Sequence, residues 1–443
     1  MFVSTLALHA GPAARSMRRA GAAWVLAAAS VSATSAQTPL LTLDHALQLA
    51  QQRSHALAAP ASAAAGARQM AVAAGQLPDP VLKVGVNNLP LDGADRFSLT
   101  RDFMTMRSVG LMQELTRNDK LRARSERLQL DAAAAEVAGQ QALSTLQRDA
   151  AMAWFDRSFQ ESMRALLLEQ QAQARLQVDA AETLYRGNRG PQGDVLQARA
   201  QVEQIEERIA AAEQQVAVAT TRLERWIGLA ASRPLQPRPV LELPAWTGED
   251  LQRHLSRHPQ IAALAQQEAA AAADVRVAQA ERHPDWSVEL MFNQRGPAYS
   301  NMVSLNLSVP LPWDRSRRQD RELAARLALA DKAQAERADT QRAHLAEVRA
   351  MLQEWQGGQR RLQRYTGALL PLAQQRSAAA LAAYRAGTGP LPAVLESRRS
   401  ELELRMEALR IEMELARVWA ELSYLLPHDD EPTQLVAPAS RSR

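Results

Sequence analysis

The sequence contains no cysteine. Disulfides, thiolate metal sites, cysteine nucleophiles and a lipid-bearing N-terminal cysteine are therefore excluded together. Aromatic residues make up only 4% of the chain, so large rings cannot supply most of its packing. No Gly-x-Ser-x-Gly elbow, P-loop or dinucleotide fingerprint occurs, and neither an enzyme nor a cofactor is expected. The most apolar run, Ala20 to Val31, is too short to span a bilayer as a helix.

Ala, Leu, Gln, Glu and Arg instead dominate long tracts of the 443 residues. That composition predicts long helices packed through narrow seams of small side chains. At the N-terminus Arg15, Arg18 and Arg19 precede the apolar run, and small residues lead to Thr34-Ser-Ala36. Residues 1–36 read as an export signal cleaved after Ala36, with Met17 as an alternative start. The full chain has 52 basic and 48 acidic residues, and the leader removes three arginines, which brings the net charge from +4 to +1. A nucleic-acid partner is not supported.

A repeat organises the remainder. "YRGNRGPQGDVLQAR" at Tyr185 to Arg199 returns as "YRAGTGPLPAVLESR" at Tyr384 to Arg398, 199 positions later (384 − 185). Pro78-Asp79 and Pro284-Asp285 are similarly placed, each ahead of a segment in which the helical period is lost. In Leu82, Val84 and Val86 apolar residues alternate with Lys83, Gly85 and Asn87. Trp286, Val288, Leu290 and Phe292 alternate with Ser287, Glu289, Met291 and Asn293, and Val303 to Val309 repeats the pattern. These read as two strands per half, about 81–89 and 104–115, then about 286–294 and 301–311. Strands of this length suit a tilted bilayer crossing.

Helical tracts of unusual length follow, roughly Asp119 to Tyr185 and Arg315 to Arg385. Spacings of three and four connect Leu128, Ala132, Ala135, Gly139, Leu143, Leu146, Ala150 and Trp154 into a seam of coiled-coil type. Pro371 predicts a kink in the second tract, where Gly357-Gly358 also departs from the first. The repeated motif then reads as the turn of a helical hairpin, 186–194 and 386–393. Gly187 or Gly190, and Gly387 or Gly389, are candidates for the left-handed residue that ends the helix, and Pro191 and Pro390 suit the return. The resulting domains are 37–231 and 247–426, joined by a proline-rich connector at 232–246 and followed by a polar tail at 427–443.

Four strands cannot close a barrel, and open edges in lipid would leave backbone groups unpaired. Two chains would give eight strands and three would give twelve. A larger ring leaves a lumen, which Lys83, Asn87, Glu289 and Asn306 would line.

With these features the chain resembles the TolC family of outer-membrane efflux proteins over Leu41 to Leu426. The resemblance rests on the two-fold repeat, two strands per half, and the shared tip pattern "YRxxxGPxxxVLxxR". It implies a mainly helical fold whose coiled-coil hairpins form a periplasmic tunnel, carried on a twelve-stranded barrel closed by a homotrimer in outer-membrane lipid. It also implies a periplasmic adaptor meeting the tips and an inner-membrane pump as energy source. The tip residues concerned are Tyr185, Arg186, Gly187, Gly190, Pro191, Val195, Leu196 and Arg199 in the first copy. In the second they are Tyr384, Arg385, Gly387, Gly389, Pro390, Val394, Leu395 and Arg398. Asp194 and Glu396 stand where the family places acids that constrict the pore, although Ala393 occupies one such place and Asp194 could equally cap its helix.

"LPDPVLKVGVNNLP" and "FMTMRSVGLMQELTRNDK" resemble the heavy-metal branch, the CzcC-like and CusC-like channels served by pumps of the resistance-nodulation-division class. Met104, Met106 and Met112 share one strand face and offer thioethers suited to Cu(I) or Ag(I), although simple packing on that face is the plainer reading. His254 and His258 have a helical metal-pair spacing, but Pro259 pushes His258 out of helical geometry, so no metal site is expected. Export of drugs or proteins through such a channel is the alternative. A different class, an exported coiled-coil scaffold, would read the strands as soluble hairpins.

Overall fold

A computed structural model describes residues 40–243 and 258–425. The leader at 1–36, part of the connector, His254 and the tail at 427–443 lie outside the described residues. Within them the order is α1 (Leu43–Arg53), α2 (Ala58–Ala74), β1 (Val81–Asn87), β2 (Met106–Leu115), α3 (Asn118–Arg186) and α4 (Gln192–Ile227). Then come α5 (Pro259–Glu281), β3 (Trp286–Gln294), β4 (Met302–Ser308), α6 (Gln319–Arg364), α7 (Leu370–Arg385) and α8 (Leu391–Leu425). The result is a mostly helical chain with one small antiparallel sheet.

At 69 residues α3 extends roughly 100 Å. A helix of that length gains most of its stability from packing, and α1, α2, α4, α5 and α8 lie along it. Every residue of the seam from Leu128 to Trp154 is buried or half-buried. The small side chains allow close approach: a Cβ on Gly139 would lie 3.5 Å from Pro60 of α2.

The main core lies where α1, α3, α4 and α8 converge. Trp154 and Phe155 are buried at its centre with rings edge to face at 5.3 Å, and Trp419 of α8 continues the stack at 5.8 Å. The Trp154 indole donates to the Leu41 carbonyl at 3.3 Å. Leu41 itself pairs in parallel with Leu235, which secures the N-terminal segment to the extended connector. Arg238 of that connector covers the Phe159 ring at 4.2 Å and pairs with Glu412 of α8 at 3.1 Å.

The sheet is antiparallel in the order β1-β2-β3-β4. Its strands stop where backbone chemistry stops them. Asn88 turns away with φ 55, and Asp102 accepts the backbone N–H groups of Met104 and Thr105, so β2 starts at Met106. β4 ends at Ser308, short of 311, ahead of Pro310 and Pro312, which carry no N–H donor. At the opposite end the strands feed the helices. Asp285 accepts the Arg117 N–H at the start of α3 and the buried Lys120 ammonium, at 3.2 and 2.7 Å.

The expected kink at Pro371 takes a particular form: a π-helical turn, Tyr365–Leu369, directly precedes it. Widening the turn there accommodates a residue that cannot donate to the carbonyl of Gly367. The helix runs through Gly357 and Gly358 unbroken; Gly358 admits Leu415 of α8, whose Cδ2 would lie 2.7 Å from an added Cβ.

Gly228 ends α4 with φ 66 and ψ −150, a region open essentially to glycine alone, and the Arg53 guanidinium fills the space a Cβ would need at 2.7 Å. Gly228→Ala is expected to cost about 1–3 kcal/mol through backbone strain, in addition to displacing Arg53. Thermal unfolding followed by circular dichroism measures it; an unchanged melting temperature would contradict the assignment.

Candidate functional site

Two regions concentrate the chemistry, the helix tips and the two faces of the sheet. Both tip turns are Schellman closures. In the first, the Arg189 N–H bonds the Leu184 carbonyl and the Asn188 N–H bonds that of Tyr185, at 2.8 and 3.1 Å. In the second, Thr388 bonds Ala383 and Gly387 bonds Tyr384, both at 3.0 Å. The left-handed residues are Asn188 (φ 53) and Gly387 (φ 74), which corrects the expectation for Gly187 and Gly190. Asparagine tolerates this conformation through its short polar side chain. Gly190 and Gly389 serve close approach instead, since an added Cβ would lie 3.2 Å from the Leu184 Cβ and 3.0 Å from the Ala383 Cβ.

The tips pack on one another. Val195, Tyr384, Val394 and Leu395 are all buried in a cluster with Ala181, Ala198 and Leu391. The apolar sites of α4 and α8 are thus used in joining the two turns. Exposed at the tips are Tyr185, Arg186, Gly187, Pro191, Leu196, Arg199, Arg385, Gly387 and Pro390. The two copies therefore differ in environment, with Tyr185 45% and Leu196 59% exposed against 8% and 7% for Tyr384 and Leu395.

Charges at the tips are paired differently as well. Arg199 and Arg186 both engage Glu182, at 2.7 and 3.1 Å, and the hydrogen bond from Arg199 holds that carboxyl below its ordinary range. Arg398 pairs at 3.2 Å with Glu401, which is fully buried and also accepts from Arg405 at 2.7 Å and Ser377 at 2.6 Å. Asp194 lies in the first turn of α4, three residues past the N-cap Pro191, and makes no capping bond. The capping role is thereby corrected. Burial, with the nearby Asp194 charge as a second cause, raises the Tyr384 phenol, whose hydroxyl has no hydrogen-bond partner among the described residues. Glu396 is exposed on α8.

On the sheet, the ladder register separates two faces. Leu82, Val84, Val109, Leu290, Phe292, Val303 and Leu305 share one face and are broadly exposed. The other carries Lys83, Asn87, Ser108, Glu289, Asn293 and Asn306, so the four residues expected on the polar side do share it. Lys83 and Glu289 meet at 2.8 Å across the intervening strand. Of the methionines noted in the sequence, Met106 and Met112 stand on this polar face, whereas Met104 precedes β2 in the connecting segment. Met291 and Met302 join them, which only the register reveals.

His258, which the sequence spaces four residues from His254, lies against a histidine of another helix. His258 is the N-cap of α5, its Nδ1 accepting from the Gln260 N–H at 3.2 Å, and its ring lies 4.3 Å from that of His344 on α6. No spacing rule links residues so far apart in sequence. Burial, then the His344 charge, pushes His258 down to about 4.

Comparison with known proteins follows from this geometry. Residues 251–427 match the family model for outer membrane efflux proteins. No relative among curated proteins matches by sequence. The outer-membrane channel OprN is similar in structure, with TM-score 0.73, 20% identity, and coverage of 86% of this chain and 89% of that one. CusC, crystallised in a study of its folding and transmembrane channel formation, gives TM-score 0.74 at 18% identity, covering 87% and 92%. The outer membrane protein VceC of Vibrio cholerae gives 0.68 at 18%, covering 85% and 96%.

Two predictions follow from the side chains described above. Leu391→Ala, in the tip core, should cost about 2–5 kcal/mol, whereas Tyr384→Phe should be neutral or stabilising by up to about 1 kcal/mol. Thermal melts of both variants check this, and a large loss with Tyr384→Phe would mean its hydroxyl has a partner. For His258, the depressed value means the unfolded chain takes up the proton first as pH falls. Stability is full above about pH 6.5 and declines towards about 4. His258→Asn, which keeps a capping acceptor, should flatten that decline in a pH series of melts. Across residues 251–427 the chain carries the pattern of the outer membrane efflux protein family, and its described residues have the fold of solved outer-membrane channels.

Proposed function

We propose that this chain is the outer-membrane channel of a tripartite efflux assembly, a passive duct for substrates driven by an inner-membrane pump. The observation that carries the reading is the sheet: one face apolar and exposed, the other polar, and its outer strands β1 and β4 each paired on one side only. In lipid each unpaired backbone group costs several kcal/mol, which drives neighbouring copies to pair β4 with β1. Three copies then give twelve strands, with Leu82, Val84, Val303 and Leu305 towards lipid and Lys83, Asn87, Glu289 and Asn306 towards the lumen.

The helices continue that tube into the periplasm. No helix among the described residues is long and apolar enough to cross a membrane. The two-fold sequence repeat places two strands and one long hairpin in each half, as a closed ring of alternating hairpins requires. An open groove between α3, α4 and α8, about 710 Å³ and lined in part by Leu167, Met406 and Met413, supports burial against a neighbouring copy.

At the tips, the exposed set Tyr185, Arg186, Leu196, Arg199 and Arg385 is the surface offered to a periplasmic adaptor. Asp194 and Glu396, each present three times in a trimer, would place acid rings at the periplasmic mouth and favour cations. The substrates are heavy-metal cations, Cu and Ag or Co, Zn and Cd, delivered by a pump of the resistance-nodulation-division class. Export of organic compounds through the same duct is the second reading.

The test is growth of a deletion strain across graded copper, silver, zinc, cobalt and cadmium, beside dyes and antibiotics, with and without the gene restored. Restorable sensitivity confined to one or two metals is expected. Sensitivity to organic compounds alone would overturn the metal assignment. Recovery of the protein in the soluble periplasmic fraction without detergent would overturn the channel and favour a scaffold.

A further inference from the structure

All four methionines in the strands stand on the polar face of the sheet. If methionine were there only as apolar filling, it would sort with the other apolar strand residues. Those lie on the opposite face, with Val81 the exception. The thioethers are instead interleaved with serine, asparagine, lysine and glutamate.

Their order is regular. Met112 is registered with Val81, Glu289 and, through Glu289, Asn306. The next rung on the same face holds Lys83, Gly110, Met291 and Ser304. The rung after that holds Gly85, Ser108, Asn293 and Met302. Met106 opposite Asn87 completes the next. One thioether thus stands on each of four successive rungs, about 7 Å apart along the strands. Met112, Met291 and Met302 form a diagonal across β2, β3 and β4, a separation that long side chains bridge.

The surroundings suit cation transit. Lys83 is neutralised by Glu289 at 2.8 Å, and apart from Val81 the remaining neighbours on these rungs are uncharged amides, hydroxyls and glycines. Gly110 leaves room for Met291, whose Cβ and Cγ would lie 3.2 Å from an added Cβ. With no cysteine in the chain, thioethers are its only sulfur ligands.

Resting on the channel reading above, we propose that Met112, Met291, Met302 and Met106 form a thioether ladder on the lumen face that hands soft monovalent cations, Ag(I) or Cu(I), along the barrel. Soft ions select sulfur, whereas Zn(II) and Co(II) take imidazole and carboxylate in preference. One weak ligand per rung lets an ion bind and move on, as conduction through successive sites requires.

The experiment uses the full-length protein reconstituted in planar bilayers, with potassium nitrate as electrolyte and silver nitrate as the probe. Wild type should conduct K⁺ and show a reversible fall in current on adding Ag(I). The variant Met106→Leu/Met112→Leu/Met291→Leu/Met302→Leu should keep the K⁺ conductance and lose the Ag(I) response. Met70→Leu, which removes an exposed thioether from α2, away from the sheet and the groove, should keep both. The single variants Met112→Leu and Met291→Leu should each weaken the response and serve if the quadruple variant does not fold.

An Ag(I) response that survives in the quadruple variant would overturn the ladder. A K⁺-conducting wild type indifferent to Ag(I) would overturn it too, while leaving the channel standing. A response to Zn(II) in its place would overturn the soft-ion class and leave metal efflux intact. Absence of any K⁺ conductance in wild type would overturn the channel reading and the ladder with it.

Discussion

A 69-residue helix cannot stand alone in water, and the fold depends on how α3 is covered. Its seam is written in alanine, glycine and leucine, which gives little apolar area per residue but lets neighbouring backbones come close. Five helices share the covering. Larger side chains are reserved for the one level where α1, α4, α8 and the connector also meet, at Trp154, Phe155 and Trp419. The bundle is thus anchored in its middle, with a seam of small residues towards the sheet and larger aliphatic side chains such as Leu167, Ile205, Ile209 and Leu402 towards the tips.

At each end of α3 the packing gives way to chemistry. Where the strands enter, Lys120 is buried against Asp285, which also accepts the Arg117 N–H at the helix start. Removing one partner from such a pair is costly because the other remains buried and charged. The junction therefore holds the sheet in a fixed relation to the helices. At the other end Tyr384, Val394 and Leu395 close against Ala181, Val195 and Ala198. What a partner can meet there is the remainder: Tyr185, Leu196 and a set of arginines.

The sheet shows how a single constraint serves two purposes. Period-two alternation separates an apolar face from a polar one, and the antiparallel register then decides which polar residues become neighbours. Lys83 and Glu289 lie 206 positions apart in sequence and meet at 2.8 Å. The methionine ladder arises in the same way, from three strands contributing to successive rungs. A one-residue slip of β2, β3 or β4 would move its methionines to the apolar face.

The mainly helical character, the long tracts, the four strands and the position of both turns were legible from composition, periodicity and glycine-proline chemistry, because each depends on neighbours within a few residues. The shared polar face of Lys83, Asn87, Glu289 and Asn306 was legible for the same reason. Which turn residue takes the left-handed conformation was not, since Asn188 and Gly187 are both compatible locally and the closure to Leu184 selects between them. Only the tertiary structure decided that Tyr185 and Leu196 stay exposed while Tyr384 and Leu395 are buried, because two nearly identical turns must pack on each other with different faces. It also decided the pairing of His258 with His344 and the alignment of Met291 and Met302 with Met112 and Met106. These are long-range contacts, set by helix packing and strand register, and no local spacing encodes them.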